Sequence, residues 1–432
     1  MSAKIYELYV DKFAQNFKGL TARLDYFNHL GINTLHILPH YPSPMVDDGY
    51  DVSDYRGIRS ELGTLEDFIA FTKEAHKRGI KVITDLVINH VSSEHHWFVT
   101  ARTSKHNSKR DYFLWSETGS ELKDATNAFP DFKSSNWIWN EATKDYYFAT
   151  FYPEQPDLNW DNPDVVEEVF MRIDFWVERG VDGFRLDAIG HLIKREGLNS
   201  YGLPETHEVI KAIRKHLDKK YGGRICLLAE IGGSVEEAQQ YFSEGDECQL
   251  IYHFSLMRQM FISLMRNEYR SLEQMIQTSY DIPHNCQWAT FLRNHDDIFI
   301  EVLSEHERLE LLDFLDPERR YPFNKGQTTS MRLGSIFAKK PERIIEALEL
   351  LYSLPGAPIM YYGDEIGMQN LPIQAGIIDT RKYVRGDFDW PTAEAMLKDP
   401  GSLLEKVAAC IKRASVVTRS LPAKSKKSYL LP

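Results

Sequence analysis

The chain has 432 residues, of which 43% are apolar and 26% charged, with 51 basic side chains against 63 acidic ones. That balance excludes wholesale disorder, and the net charge of −12 argues against a polyanion partner such as nucleic acid. No apolar run approaches the ~18 residues of a membrane helix, and Met1-Ser2-Ala3-Lys4-Ile5-Tyr6-Glu7 contains no secretory apolar core, so a cytoplasmic setting is expected.

In chain order, β-branched and apolar runs predict strands over residues 5–10, 34–38, 81–86, 183–186, 225–229, 249–252, 288–291 and 359–361. Helical periodicity predicts helices over 65–77, 164–178, 208–218, 235–241, 343–352 and 403–413. The helix from Asp164 follows Pro163, a favourable first-turn residue, and runs out at Gly180. Strands separated by helices imply parallel pairing with right-handed crossovers, hence an α/β fold of the (β/α)8 TIM-barrel type; a doubly wound open sheet is the alternative. Residues 91–156 break the alternation after the third strand and are rich in Trp, Tyr, Asn and Ser. A loop that long inside a compact domain is a functional excursion. It is read as an inserted domain between barrel segments 1–90 and 157–420, with 421–432 as a tail. Residues 297–340 interrupt the pattern again, and the charged run at 305–310 is read as the solvated face of a helix. Both excursions leave from the strand C-terminal side, where barrel active sites are built. Cys226, Cys248, Cys286 and Cys410 are widely spaced without a C-x-x-C pair, which fits free buried thiols better than metal ligation. Aromatic residues reach 12%; most belong to the core, but such rings also line sugar sites.

Four clusters stand at predicted strand ends. In Asp85-Leu86-Val87-Ile88-Asn89-His90, period-two alternation puts Asp85, Val87 and Asn89 on one face. In Gly183-Phe184-Arg185-Leu186-Asp187, Arg185 and Asp187 point the same way, and the arginine favours the charged carboxylate that a nucleophile requires. Glu230 ends the apolar run Leu227-Leu228-Ala229, a setting that raises a carboxyl pKa as a general acid requires. Arg293-Asn294-His295-Asp296-Asp297 follows the seventh strand. A single aspartate at a strand end is more often a helix cap or an ion-pair partner. Four clusters on one rim point to carboxylates flanking an acetal carbon, the chemistry of glycoside cleavage.

These clusters resemble the signature regions of the α-amylase superfamily, glycoside hydrolase family 13, and within it the branch of trehalose synthases and oligo-1,6-glucosidases. The resemblance also rests on Gln155-Pro156-Asp157-Leu158-Asn159, on Asp47-Asp48-Gly49-Tyr50-Asp51, on Leu203-Pro204-Glu205-Thr206-His207-Glu208 and on Tyr361-Tyr362-Gly363-Asp364-Glu365. It implies a barrel with a protruding second domain. It implies that Asp187 is the nucleophile, that Glu230 is the general acid/base, and that Asp296 holds ring hydroxyls and stabilises the transition state. His90, Arg185 and His295 surround the glucosyl unit, Tyr50 stacks under it, and Asp47 pairs with Arg385 to close an exo-acting pocket. Asp85 and Asn89 support their neighbours. The implied substrates are small α-glucosides such as maltose or trehalose.

The chain departs from the family pattern in places. After Glu230 stands Ile231-Gly232-Gly233 instead of Asn-Gln-Trp, after Asp296 stands Asp297 instead of Glu, and after Arg385 come Asp387-Phe388-Asp389-Trp390. The segment Asp11-Lys12-Phe13-Ala14-Gln15-Asn16-Phe17 lacks the oxygens of the relatives' calcium loop, so no cofactor is expected, with calcium as the alternative. The relatives' C-terminal β-sandwich has no counterpart here, being either lost or outside this chain. Three functions remain in view: intramolecular glucosyl transfer between maltose and trehalose, hydrolysis by an exo-acting α-glucosidase, and a non-catalytic scaffold. The presence of all three carboxylates disfavours the last.

Overall fold

The computed structural model describes residues 3–338 and 340–414. The expected tail over 421–432, and the barrel segment's last residues beyond 414, lie outside the described residues.

Eight parallel strands close into a barrel: β1 (Ile5–Leu8), β2 (Thr34–Ile37), β3 (Lys81–Val87), β7 (Gly183–Asp187), β8 (Cys226–Ala229), β9 (Leu250–Tyr252), β10 (Gln287–Phe291) and β13 (Ala357–Tyr361), with β13 pairing back to β1. The closed sheet removes the open-sheet alternative. Nearly every strand residue is buried, because the lumen covers one face and the surrounding helices the other. The helix Leu65–Lys77 begins at a reciprocal capping box between Thr64 and Asp67. The helix Pro163–Val177 starts beneath an Asn162 cap, with Pro163 in its first turn. Helix Glu305–Leu315, capped by Ser304, carries the charged run and buries Leu311, Leu312 and Leu315.

Between β3 and β7, the excursion folds into an antiparallel sheet of β4 (Trp115–Ser116), β6 (Asp145–Phe148) and β5 (Trp137–Asn140). Its return is fastened under the barrel mouth: Asp157 bridges to His90, and its carboxylate pairs with buried Lys194 at 2.5 Å. After β10 a short hairpin, β11 (Pro322–Phe323) and β12 (Thr328–Thr329), rises beside it. Phe323 of the hairpin packs with Phe129 and Tyr152 of the excursion in a small cluster of their own.

The four cysteines are free. Burial pushes the Cys226 and Cys410 thiols up to about 12 and about 11, which leaves them unreactive. No helix among the described residues is long and apolar enough to cross a membrane. Among the same residues no group of three or more His, Cys, Asp or Glu is placed to hold a metal ion, and Asp11, in the first turn of the short helix Val10–Ala14, is committed to Arg59 at 3.0 Å.

Candidate active site

The C-terminal ends of the barrel strands surround a cavity of about 470 Å3. β3 and β7 run in register with Asp85 opposite Arg185 and Val87 opposite Asp187. Residues two apart share a face, so Asp85, Arg185 and Asp187 all enter the lumen. Arg185 is fully buried. Its Nη1 reaches Asp85 at 2.6 Å and Asp187 at 2.5 Å, and its Nη2 reaches Glu230 at 2.6 Å. One planar fork therefore holds Asp187 and Glu230 side by side. Ala188 follows Asp187 with φ 48°, a left-handed conformation that costs a non-glycine residue about 1–2 kcal/mol. The turn aims the Ala188 N–H at Glu230, to which it donates at 3.1 Å.

Burial pushes the Asp187 and Glu230 carboxyls up, against the pull of Arg185 on each. They titrate as a pair that keeps a proton above the ordinary carboxylate range. Asp296 goes the other way: burial raises it, but His295, Arg381 and Arg385 outweigh burial and hold it well below that range. His295 contacts Glu7 at 2.9 Å and Asp296 at 3.1 Å. Burial lowers its pKa, yet these two carboxylates override burial and raise it to about 9. The imidazolium also donates to the Tyr50 hydroxyl at 2.7 Å, and the two rings stack 5.2 Å apart.

Two floor residues escaped the sequence reading. Glu7 on β1 accepts from His295, His36 and the Tyr252 hydroxyl, and His36 on β2 links Glu7 to Asp85 at 3.2 and 2.8 Å. Both occupy inward positions of their strands. A charged residue inside an otherwise apolar strand was the available signal.

Asp47, Tyr50, His90, Asp187, Glu230 and Asp296 line the cavity. Arg185 and His295 lie beneath them. Asp85 lies deeper still, and Asn89 accepts from Lys194 at 2.9 Å behind the wall. His90, kept neutral by burial, stands 3.1 Å from Gln155, which also donates to Asp47.

The rim corrects one expectation. Asp47 pairs with Arg381 at 2.8 Å, not with Arg385. Arg385 binds Asp48 at 2.6 Å and Asp296 at 2.8 Å, and donates to the His295 carbonyl. Arg381 lies within the tight turn Thr380–Val384 and Arg385 follows it. Asp379 caps that turn through the Arg381 N–H and grips its guanidinium at 2.8 Å, which fixes Arg381 toward the mouth and leaves Arg385 deeper. Arg381 also lies between the Phe129 and Phe323 rings, 4.7 and 4.9 Å from their centroids. The excursion and the hairpin thus meet over the cavity, where the Lys325 N–H donates to Asp131 at 2.9 Å.

A family model described as the α-amylase catalytic domain matches residues 11–312. The trehalose synthase of Thermus thermophilus is 43% identical over 396 residues, covering 90% of this chain and 40% of that protein. The trehalose synthase/amylase TreS of Mycolicibacterium smegmatis is 38% identical over 380 residues, covering 85% and 64%. The oligo-1,6-glucosidase of Bacillus cereus is 31% identical over 400 residues, covering 86% and 66%. The chain thus spans 40% to 66% of the length of these relatives. Among solved structures, the trehalulose synthase MutB of Pseudomonas mesoacidophila superposes with a TM-score of 0.73 at 25% identity, covering 95% of this chain and 83% of that one. The α-amylase of H. orenii gives 0.73 at 25%, covering 95% and 81%.

Proposed function

The chain belongs to the α-amylase family, and from that premise we propose that it is a retaining α-glucosidic enzyme that interconverts maltose and trehalose by glucosyl transfer within one closed site. One observation carries the chemistry: Asp187 and Glu230 share the Arg185 guanidinium. Retaining glycosidases need two carboxyl groups about 5–5.5 Å apart, one as nucleophile and one as acid.

The ionised Asp187 attacks the anomeric carbon while Glu230 gives its proton to the leaving oxygen. The product is a β-glucosyl ester on Asp187 and a free glucose. That glucose turns over, its anomeric hydroxyl attacks the same carbon, and Glu230 takes the hydroxyl proton as the ester bond breaks. Asp296 stays ionised beside the ring and stabilises the positive charge of the oxocarbenium-like transition state. Tyr50 supplies the ring beneath the sugar. The Asp47–Arg381 pair holds the terminal hydroxyls, and no cofactor enters any step.

The meeting of Phe129, Arg381 and Phe323 over the cavity supports transfer over hydrolysis, because a roofed site keeps water out and the freed glucose in. Hydrolysis is the second reading. It draws support from Gly232-Gly233, where the pattern of transferring relatives has amides and an indole. Incubation with maltose and resolution of the products tests the proposal: trehalose is expected, and glucose alone would make the enzyme a hydrolase.

Arg381→Ala is expected to cut kcat/KM for maltose by about 2–5 kcal/mol in transition-state binding, because it strands Asp47 and Asp379 as buried unpaired carboxylates. An unchanged kcat/KM would remove the pair from the substrate site.

Turnover against pH is expected to be bell-shaped, because the Asp187–Glu230 pair must carry one proton. At low pH both are protonated and Asp187 cannot attack; at high pH Glu230 has nothing to donate. Burial raises both groups, so the alkaline limb lies above the ordinary carboxyl value of 4.5. His295 adds a second effect. Its pKa is raised from 6.5 to about 9, so the stability from its charge is complete below 6.5 and lost as pH rises through about 9. Melting temperature and turnover should fall together there. A profile flat from acid to alkaline pH contradicts these roles.

A further inference from the structure

Behind Glu230, the cavity wall lacks the amides and indole of the family pattern and is rebuilt from elsewhere. Tyr201 and Phe299 both line it. The Tyr201 hydroxyl accepts from the Gly232 N–H at 2.8 Å, and its ring stands edge-on to His191 at 4.8 Å. Phe299 is backed by Phe254, 5.8 Å away.

Two glycines make the room. Neither Gly190 nor Gly232 has the positive φ that would demand glycine. A β-carbon on Gly190 would stand 2.5 Å from Cε2 of Tyr201. One on Gly232 would stand 3.2 Å from Cε1 of Phe299 and 3.3 Å from the Tyr201 hydroxyl. These glycines therefore exist for the rings, not for the turn. The Tyr201 ring is built into the wall, and its oxygen is used by Gly232 while its O–H can donate into the cavity. Burial raises the phenol's pKa and the Glu230 charge adds to it, which keeps the proton in place.

The same half of the cavity carries Glu237, Asp297 and Glu301, and Arg381 is the one arginine or lysine among the lining residues described. Burial, with the Asp296 charge adding to it, pushes Asp297 up to about 7. An anion entering here meets these carboxyl groups, while Arg381 is already bound to Asp47 and Asp379 and Arg258 to the Gly233 and Phe299 carbonyls.

We propose that Tyr201 and Phe299 form the acceptor platform, which receives the sugar that leaves and re-attacks, takes an uncharged hexose and rejects its phosphate ester. The rings cover the apolar C–H face of the pyranose and the Tyr201 O–H donates to one of its hydroxyls. The inference rests on the transfer reaction proposed above.

α-Glucosyl fluoride tests it, because fluoride leaves the acceptor position vacant. The C1–F bond breaks as Asp187 bonds to C1, and fluoride departs with the Glu230 proton. An added sugar then attacks C1 through its anomeric oxygen, Asp187 leaves as a carboxylate, and the sugar's proton passes to Glu230. The readout is glucosyl transferred per fluoride released, with glucose or glucose 6-phosphate as acceptor. Wild type should transfer to glucose at least ~10-fold better than to the phosphate ester. Tyr201→Ala should cut the ratio for glucose about tenfold by raising the acceptor KM, and Tyr201→Phe, which keeps the ring, about threefold. Equal transfer to both sugars, or a ratio unchanged in both variants while fluoride is released normally, overturns this inference alone. Failure of wild type to release fluoride overturns the proposed function and this inference with it.

Discussion

Asp187→Asn is expected to lower turnover of α-glucosides by on the order of 10⁴-fold or more while maltose-type ligands still bind. Asp187 is the group placed to form the glycosyl ester, and an amide oxygen is too weak a nucleophile to replace it. The fold should survive the change. Arg185 keeps two of its three carboxylates, Asp85 and Glu230. The sign of the linkage points the same way. Burial raises the Asp187 pKa in the folded protein, so its contribution to stability is present at low pH and lost as pH rises through the folded value. Above that value its charge burdens the fold, and the neutral amide carries no such burden. Asp187→Asn should therefore melt no lower than wild type at neutral pH. Turnover close to wild type would end the nucleophile assignment, whereas loss of activity with loss of fold would say nothing against it; the melting curve separates the two.

Glu230→Gln is expected to be damaged comparably on maltose and far less on an activated aryl α-glucoside. Protonating the leaving oxygen matters when the departing group is a sugar alcohol and little when it is an acidic phenol. The raised carboxyl at Glu230, half-buried and with the Asp296 charge acting on it, is suited to hold that proton. Glutamine keeps the acceptor for the Ala188 N–H, while Arg185 loses one of its three charged partners and keeps Asp85 and Asp187. Equal losses on the two substrates would assign Glu230 a binding or packing role instead.

The barrel was legible because its strands are short apolar runs, and both long excursions interrupt them at the C-terminal side. The candidate carboxylates Asp187 and Glu230 were legible for a related reason: each sits at the end of such a run, and alternation places Asp85, Arg185 and Asp187 on one face. The rim pair was not. Arg381 and Arg385 stand four residues apart in one turn, and the choice between them is made by Asp379, which grips only the first. Glu7 and His36 were passed over because each is a single polar residue in an apolar strand, and their meaning appears only when β1, β2 and β3 bring them together around Asp85. The acceptor wall was hidden more deeply. Tyr201 and Phe299 are far apart in the chain, and the glycines that admit them read locally as turn residues.

The central claim is that one closed site cleaves an α-glucoside and returns the glucosyl unit to the same departing glucose. Incubating the protein with unlabelled maltose in the presence of carbon-13-labelled glucose, and resolving the products by mass, tests it directly. The account predicts trehalose that carries little label. Trehalose labelled in proportion to the added glucose, or glucose as the only product, would contradict it.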